Sequence, residues 1–229
     1  MSSTHCTIVE GTARLMYSLP FPAFPVTSGL WLKLQLKSIL EFIGALVLLL
    51  MTAPLFLLAA SLIKLTSPGP VFFRQERLGL YQRPFKIWKF RTMVAGSELA
   101  EKQLHQNRGG VFFKLHNDPR VTNVGRYLRK YSIDELPQLI NVLRREMALV
   151  GPRPIMDSEL QRFGEWIYLR RFRMRPGLTC IWQVSGRSNT SDWDRMRQDM
   201  KYVDSWSLWL DTKILIKTVG VVVKTTGAV

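Results

Sequence analysis

The chain has 229 residues and a formal charge of +15, from 32 Lys and Arg against 17 Asp and Glu. That length allows one domain with a sizeable core, and that charge points to an anionic partner: nucleic acid, an anionic membrane face or phosphorylated substrates. Two distant cysteines, Cys6 and Cys180, argue against a disulfide framework, and His5, His105 and His116 show no metal-ligand spacing with them.

Residues 1–30 carry few charges and include Pro20, Pro22 and Pro25. With no basic start and no convincing cleavage site, they read as a flexible or surface-lying lead, not a signal peptide. Residues 39–63, ILEFIGALVLLLMTAPLFLLAASLI, hold one charge, Glu41. About 20 such residues span a bilayer core, and a buried soluble helix rarely stays apolar all round for so long. Pro54, near the middle, would kink the helix. Lys33 and Lys37 precede the stretch, and Lys64, Arg74 and Arg77 follow it. Cations at both ends favour one cytoplasmic face for both. The reading is a re-entrant helix over 37–66, broken at Ala53-Pro54, with a kinked span as its rival.

Thr66-Ser67-Pro68-Gly69-Pro70 ends that segment. Residues 71–75 and 85–91 then read as two strands of a β-hairpin, punctuated by Gly79 and Arg83-Pro84. Lys86, Lys89 and Arg91 are its expected exposed cations, either solvated at a membrane surface or binding substrate. Residues 94–106 look helical and stop at Asn107-Arg108-Gly109-Gly110; Asp118-Pro119-Arg120 begins a further turn.

The central stretch is GRYLRKYSIDELPQLINVLRREMALVGPRP, residues 125–154. Pro137 is tolerated only in a first helical turn, so Asp134 reads as the N-cap of a helix carrying Leu139, Ile140, Val142 and Leu143 on one face. Asp134 and Glu135 then project from a helix N-terminus, which keeps a carboxylate ionised and attracts phosphate. Such a carboxylate suits a nucleophile in phosphoryl transfer or a Mg2+ ligand. The bland reading is capping, since Ser132-x-x-Glu135 fits a capping box. Further on, residues 158–171 read as a helix, and Arg170, Arg171, Arg173 and Arg175 as a cationic run facing lipid headgroups. Residues 175–179 read as a turn and 191–202 as a helix. Residues 206–223, with Trp206, Trp209, Lys213 and Lys217, read as a helix of the membrane interface, or else as core.

Several segments match a known family in order and spacing: SPGPVFFRQERLG, PFKIWKFRTM, DPRVTNVGRYLRKYSIDELPQLINVL, LVGPRP, RPGLT, WQVSGRS and WSLWLDTKIL. They cover nearly the whole chain after about residue 37 and resemble the bacterial sugar transferases, the monotopic phosphoglycosyl transferases. The resemblance implies an α+β, mainly helical fold. It would have one re-entrant membrane helix, a small β-hairpin and interfacial amphipathic helices around a membrane-surface active site. Its parts would be a lead over 1–36, the re-entrant helix over 37–66 and a catalytic domain over 67–229 on the cytoplasmic face of the bacterial inner membrane. Met1 to Leu36 is too short and polar for the extra spans of a large subgroup, so a minimal catalytic form is expected.

The implied reaction moves a sugar 1-phosphate from a UDP-sugar to undecaprenyl phosphate and releases UMP, at the first membrane step of exopolysaccharide, capsule or O-antigen synthesis. WQVSGRS and WSLWLD resemble the hexose-transferring branch. By resemblance Asp134 is the nucleophile that forms an aspartyl-phosphosugar, and Glu135 assists with Mg2+. Asp134, Glu135 and Asp199 are the implied metal residues. Arg153, held between Pro152 and Pro154, is the leading phosphate ligand, with Lys89, Arg91, Arg126 and Arg129 behind it. The family's Ser-Pro at the membrane bend is Ala53-Pro54 here, so the serine hydroxyl is missing. Many relatives also have Gly in place of Cys180, and Gly-Asp-Met-Ser in place of Arg145-Glu146-Met147-Ala148. UDP-sugar, undecaprenyl phosphate and anionic lipids are the expected partners, with a homodimer left open. Nucleic acid is not expected, because no reading motif accompanies the charge. A non-catalytic membrane scaffold is the competing reading, and it predicts no UMP release.

Overall fold

The computed structural model describes residues 28–96, 118–163, 166–185 and 191–224. The lead before residue 28, most of the helix expected over 94–106, its stop at 107–110 and Gly186-Arg187 lie outside the described residues. The chain divides into two compact units, Met1–Leu36 and Lys37–Val229. In the first, the described residues 28–36 are all helical.

The apolar stretch forms one helix, α1 (Ser28–Thr66). It is the one described helix long and apolar enough to cross a membrane. Helical backbone continues through Pro54, so the expected break is not a gap in the helix. Proline removes one donor, and its fixed φ is itself compatible with helix. Just before it, the Thr52 hydroxyl donates to the Leu48 carbonyl at 2.7 Å. Beyond the buried Lys37, two parts of α1 within the second unit pack in core clusters. Ala45 and Leu49 pack in one core cluster, and Phe56, Ala59, Ala60 and Ile63 in another. Lys37, expected as a flanking cation, is instead buried and paired with Glu41 and Asp211, both at 2.7 Å.

The expected hairpin is β1 (Phe72–Leu78) with β2 (Pro84–Phe90), antiparallel, Phe73 opposite Lys89 and Arg74 opposite Trp88. Phe72 and Phe90 of the hairpin stack on each other and pack at a tilt against Phe56 of α1, with centroids 4.7–5.8 Å apart. A short helix, α2 (Asn123–Lys130), follows, capped by the Thr122 hydroxyl, which accepts from the Gly125 amide. Its Val124 and Leu128 face the same aromatic cluster.

After α3 (Gln138–Leu143), β3 (Ala148–Val150) pairs in parallel with β4 (Gly177–Thr179). Sequence patterning places only a turn at 175–179, because Gly177 weakens strand propensity. Here glycine is what the pairing needs: a Cβ on Gly177 would strike the Gly151 backbone. Between these strands lie α4 (Asp157–Phe163) and a 3-10 segment, Trp166–Arg173, in place of one helix over 158–171. Gly164 and Glu165, between them, lie outside the described residues.

The chain closes with α5 (Ile181–Ser185), α6 (Asp192–Asp204) and α7 (Leu208–Lys224). Ser191 caps α6 by accepting from the Asp194 amide at 3.1 Å. On α7, Asp211 and Ile214 are buried, whereas Trp209, Ile216 and Val219 are each about two-thirds exposed. The core reading holds for the buried face of this helix, and its other face is exposed and apolar.

Candidate active site

The two acidic residues do not cap a helix. Ser132 turns the chain with a left-handed φ of 57°, and Ile133–Glu135 form a single 3-10 turn before α3. The Ser132 side chain makes no capping hydrogen bond, and Pro137 takes the N-cap position of α3. Pro137 thus sits at the helix start, where its missing N–H is harmless, as expected. The capping box fails because the Glu135 carboxylate turns elsewhere. Its Oε1 accepts from Lys89 Nζ at 3.0 Å and pairs with Arg153 at 3.4 Å.

Lys89 reaches Glu135 because of strand alternation. It lies on the face of β2 that also carries the buried Ile87, not among exposed cations. Lys86, three positions earlier and so on the opposite face, does face solvent. Asn141 of α3 fixes this arrangement and is fully buried. Its side-chain oxygen accepts from the Trp88 amide at 3.0 Å, and its Nδ2 donates to the Lys86 carbonyl at 2.9 Å. The strand bearing Lys89 is thereby tied to the helix that follows the acidic pair. A polar Asn141 inside the apolar run QLINVL was the available signal.

Arg153 is held by its loop. The Gly151 amide donates to the Thr179 carbonyl at 3.0 Å, and the Gly177 amide to the Pro152 carbonyl at 2.8 Å. Its guanidinium lies 5.5 Å from the centre of the Trp182 ring, which Arg195 approaches to 4.9 Å. Arg129 is half-buried, donates to the Thr92 hydroxyl at 2.9 Å, and its charge acts on Asp134.

Three other expected residues are placed differently. Arg91 is buried, and its guanidinium donates to the carbonyls of Ser67 and Pro68. It closes the loop after α1, because a buried cation must take such acceptors. Arg126 is exposed on α2. Asp199 is buried and ion-paired with Arg171 at 2.6 Å. Burial pushes its carboxyl up to about 6 against the pull of Arg171. Arg171 therefore does not face headgroups. Arg170 pairs with Asp204 at 3.4 Å and Arg175 donates to Ser38 at 3.0 Å, so three members of the expected cationic run serve internal contacts.

Asp134 differs from its neighbour. It is half-buried, and its carboxylate forms no hydrogen bond or ion pair with a described residue. Burial pushes its carboxyl up to about 6; Lys89 opposes that rise and Glu135 adds to it. Burial also acts against the charge on Glu135, but Lys89 and Arg153 outweigh it and hold that carboxyl down at about 2. The pair thus divides into an ionised, tethered Glu135 and a more basic Asp134 that is free of partners among the described residues. Near neutral pH Asp134 is mostly ionised and open to an electrophile. Among the described residues no three His, Cys, Asp or Glu side chains gather into a metal cage. One free carboxylate beside a second still fits Mg2+, which keeps several waters and takes phosphate oxygens instead of a full protein cage.

Comparison with known proteins follows the same residues. Residues 32–225 match the model of a family described as bacterial sugar transferase. The galactosyl transferase CpsE of Streptococcus agalactiae is 38% identical over 222 residues, which are 96% of this chain and 47% of that protein. The exopolysaccharide production protein ExoY of Rhizobium meliloti is 43% identical over 200 residues, 84% of this chain and 87% of that one. A UDP-glucose:undecaprenyl-phosphate glucose-1-phosphate transferase of Caulobacter vibrioides is 46% identical over 202 residues, 84% of this chain and 71% of that one. The chain spans about half the length of the first of these relatives and most of the other two.

Proposed function

The chain belongs to the bacterial sugar transferase family, and on that premise we propose that it moves a hexose 1-phosphate from a UDP-sugar to undecaprenyl phosphate and releases UMP. The observation that carries this is the Asp134 carboxylate, with no partner among the described residues, beside a Glu135 already neutralised by Lys89 and Arg153. Relatives named for UDP-glucose and for galactose transfer support the substrate class.

In the first half-reaction an Asp134 oxygen attacks the β-phosphorus of the UDP-sugar. The P–O bond to UMP breaks, UMP leaves with that electron pair, and the phosphosugar remains on Asp134 as an acyl phosphate. In the second, a phosphate oxygen of undecaprenyl phosphate attacks the same phosphorus and Asp134 leaves as a carboxylate. The two acidic side chains would hold Mg2+, whose charge would offset that of the phosphates. Arg153 offers a planar fork to phosphate oxygens from a clamped loop, and the Arg129 charge also acts on Asp134. Lys89 keeps Glu135 ionised, so any shared proton goes to Asp134 and not to its neighbour.

The membrane reading is a re-entrant α1 at the cytoplasmic face of the inner membrane. Its support is that both covered parts of α1 pack against the same unit, on clusters that share Leu136. Between them Leu50 and Met51 are 67% and 73% exposed. A helix crossing about 30 Å of hydrocarbon would carry one of those parts away from the domain. The exposed Trp209, Ile216 and Val219 of α7, with Lys213 and Lys217 beside them, suit an interface with anionic lipid.

The test is UMP release from a panel of UDP-sugars with undecaprenyl phosphate in nanodiscs. Radiolabelled UDP-sugar without acceptor should leave label on the protein. A protein that neither releases UMP nor retains label with any UDP-sugar is not this enzyme. For topology, Pro54→Leu should straighten α1 and lower turnover, whereas Ser28→Cys in the native protein should resist an impermeant thiol reagent added to intact cells. Labelling of Ser28→Cys from outside would replace the re-entrant helix with a span.

A further inference from the structure

We infer that Arg171 and Asp199 form a buried brace for Arg153. They would act on the reaction as positioning residues, holding the Arg153 backbone so that its guanidinium reaches Glu135. The inference rests on the reading of Asp134 and Glu135 as the reacting centre.

The pair lies inside the protein, with side chains 2% and 4% exposed and Arg171 2.6 Å from Asp199. The same guanidinium nitrogen that meets Asp199 also donates to the Arg153 carbonyl. The other terminal nitrogen meets the Met196 sulfur at 3.2 Å. A buried ion pair is weak evidence for stability, since apolar residues of equal volume often serve a core as well or better. What they cannot supply is a donor to a main-chain carbonyl.

The position of that carbonyl gives the pair its purpose. The loop after β3 is fastened on both sides of Arg153. Gly177 donates to Pro152, and Leu78 donates to the Ile155 carbonyl at 2.9 Å. Arg171 supplies the hold on the residue between them. The side chain of that residue then runs to Glu135 at 3.4 Å and lies near Trp182. The chain of contacts from Asp199 through Arg171 and Arg153 to Glu135 is continuous. Asp199 therefore reaches the acidic pair through a cation. No described group of three acidic side chains joins it to Asp134 and Glu135 as a metal site.

The experiment compares the full-length protein with the double variant Arg171→Met, Asp199→Leu, alone and combined with Arg153→Met. Removing both charges together leaves no unpaired buried ion, so the double variant should fold. The first readout is hydrogen exchange of a peptide covering residues 150–156, which does not depend on turnover. Exchange there should rise in the double variant, while peptides from β1 and β2 stay as they are. The second readout is kinetic. UMP release should fall by about 10- to 100-fold, a range typical of groups that orient a ligand-bearing residue. Adding Arg153→Met should cost nothing further, and the Mg2+ concentration for half-maximal rate should not move.

Unchanged exchange over 150–156 would overturn the brace, as would a loss that multiplies with that of Arg153→Met. A large rise in the Mg2+ requirement with unchanged exchange would make Asp199 a metal ligand instead. If the unaltered protein releases no UMP from any UDP-sugar, the functional reading fails by itself, and the exchange readout still decides the brace.

Discussion

Two clusters of charge lie on either side of the Val150–Arg153 loop, and they are built on opposite terms. At the first, Lys37 donates to Glu41 at 2.7 Å, Asp211 at 2.7 Å, the Val150 carbonyl at 2.9 Å and the Tyr202 hydroxyl at 3.3 Å. Asp211 also accepts from Tyr202 at 2.6 Å and Trp206 at 3.0 Å, and Glu41 accepts from the Val150 amide at 3.1 Å. Each charge there has several partners, and the whole is buried. At the second, Lys89 and Arg153 both turn to Glu135, while Asp134 has no partner among the described residues. The first cluster joins α1 and α7 to β3. The second leaves the Asp134 carboxylate unclaimed by any described residue. A count of charged residues does not separate the two; the pairing of each charge does.

The largest expected effect breaks the second cluster at its free member. Asp134→Asn should lower turnover by about four orders of magnitude, as loss of a covalent nucleophile does. Its melting temperature should hold or rise, since burial already disfavours the Asp134 charge. Substantial UMP release by pure Asp134→Asn would sink the nucleophile assignment.

Lys37→Met should do the reverse. It strands Glu41 and Asp211 without their cation, at a cost of about 3–5 kcal/mol in stability. The fraction that remains folded should turn over nearly normally. A Lys37→Met protein that melts like the unaltered chain would show that the first cluster is not structural.

Within the second cluster, Lys89→Met should lower turnover by about 10- to 100-fold, because it removes the cation that opposes the rise of the Asp134 carboxyl and that holds Glu135 in place. Lys86→Ala, on the exposed face of the same strand, should leave both rate and stability within error. Equal losses from the two would mean that general surface charge matters and not the Glu135 pairing.

The smallest effect is the pH profile. Asp134 must be ionised to attack, and its carboxyl is pushed up to about 6. The labelling half-reaction should therefore weaken as pH falls through about 6, with the slope of one proton, and extra Mg2+ should move that limb lower by competing with it. The stability sign is opposite. A raised carboxyl favours the folded state at low pH, and that contribution is lost as pH rises through 6. A flat labelling profile between about pH 5 and 7 would remove Asp134 as the titrating nucleophile.

The amino-acid order settles what short-range chemistry and local order can fix. It determined the long apolar α1, the hairpin between its Gly and Pro turns, the helix behind Pro137 and the motif order that marks the family. Those features depend on neighbours within a few residues, where proline, glycine and periodicity act. Which charges meet is settled by long-range packing. It moved Arg91 to the carbonyls of Ser67 and Pro68, buried Lys37 against Asp211, and set Asp199 behind Arg171. It also turned Glu135 from a cap into the partner of Lys89, and made a parallel strand of Gly177-Leu178-Thr179. Lys37 and Asp211 are 174 positions apart and Lys89 and Glu135 are 46 apart. No periodicity reaches that far. A buried charge takes whichever partner the packed core brings near, because leaving it unpaired is the costlier outcome.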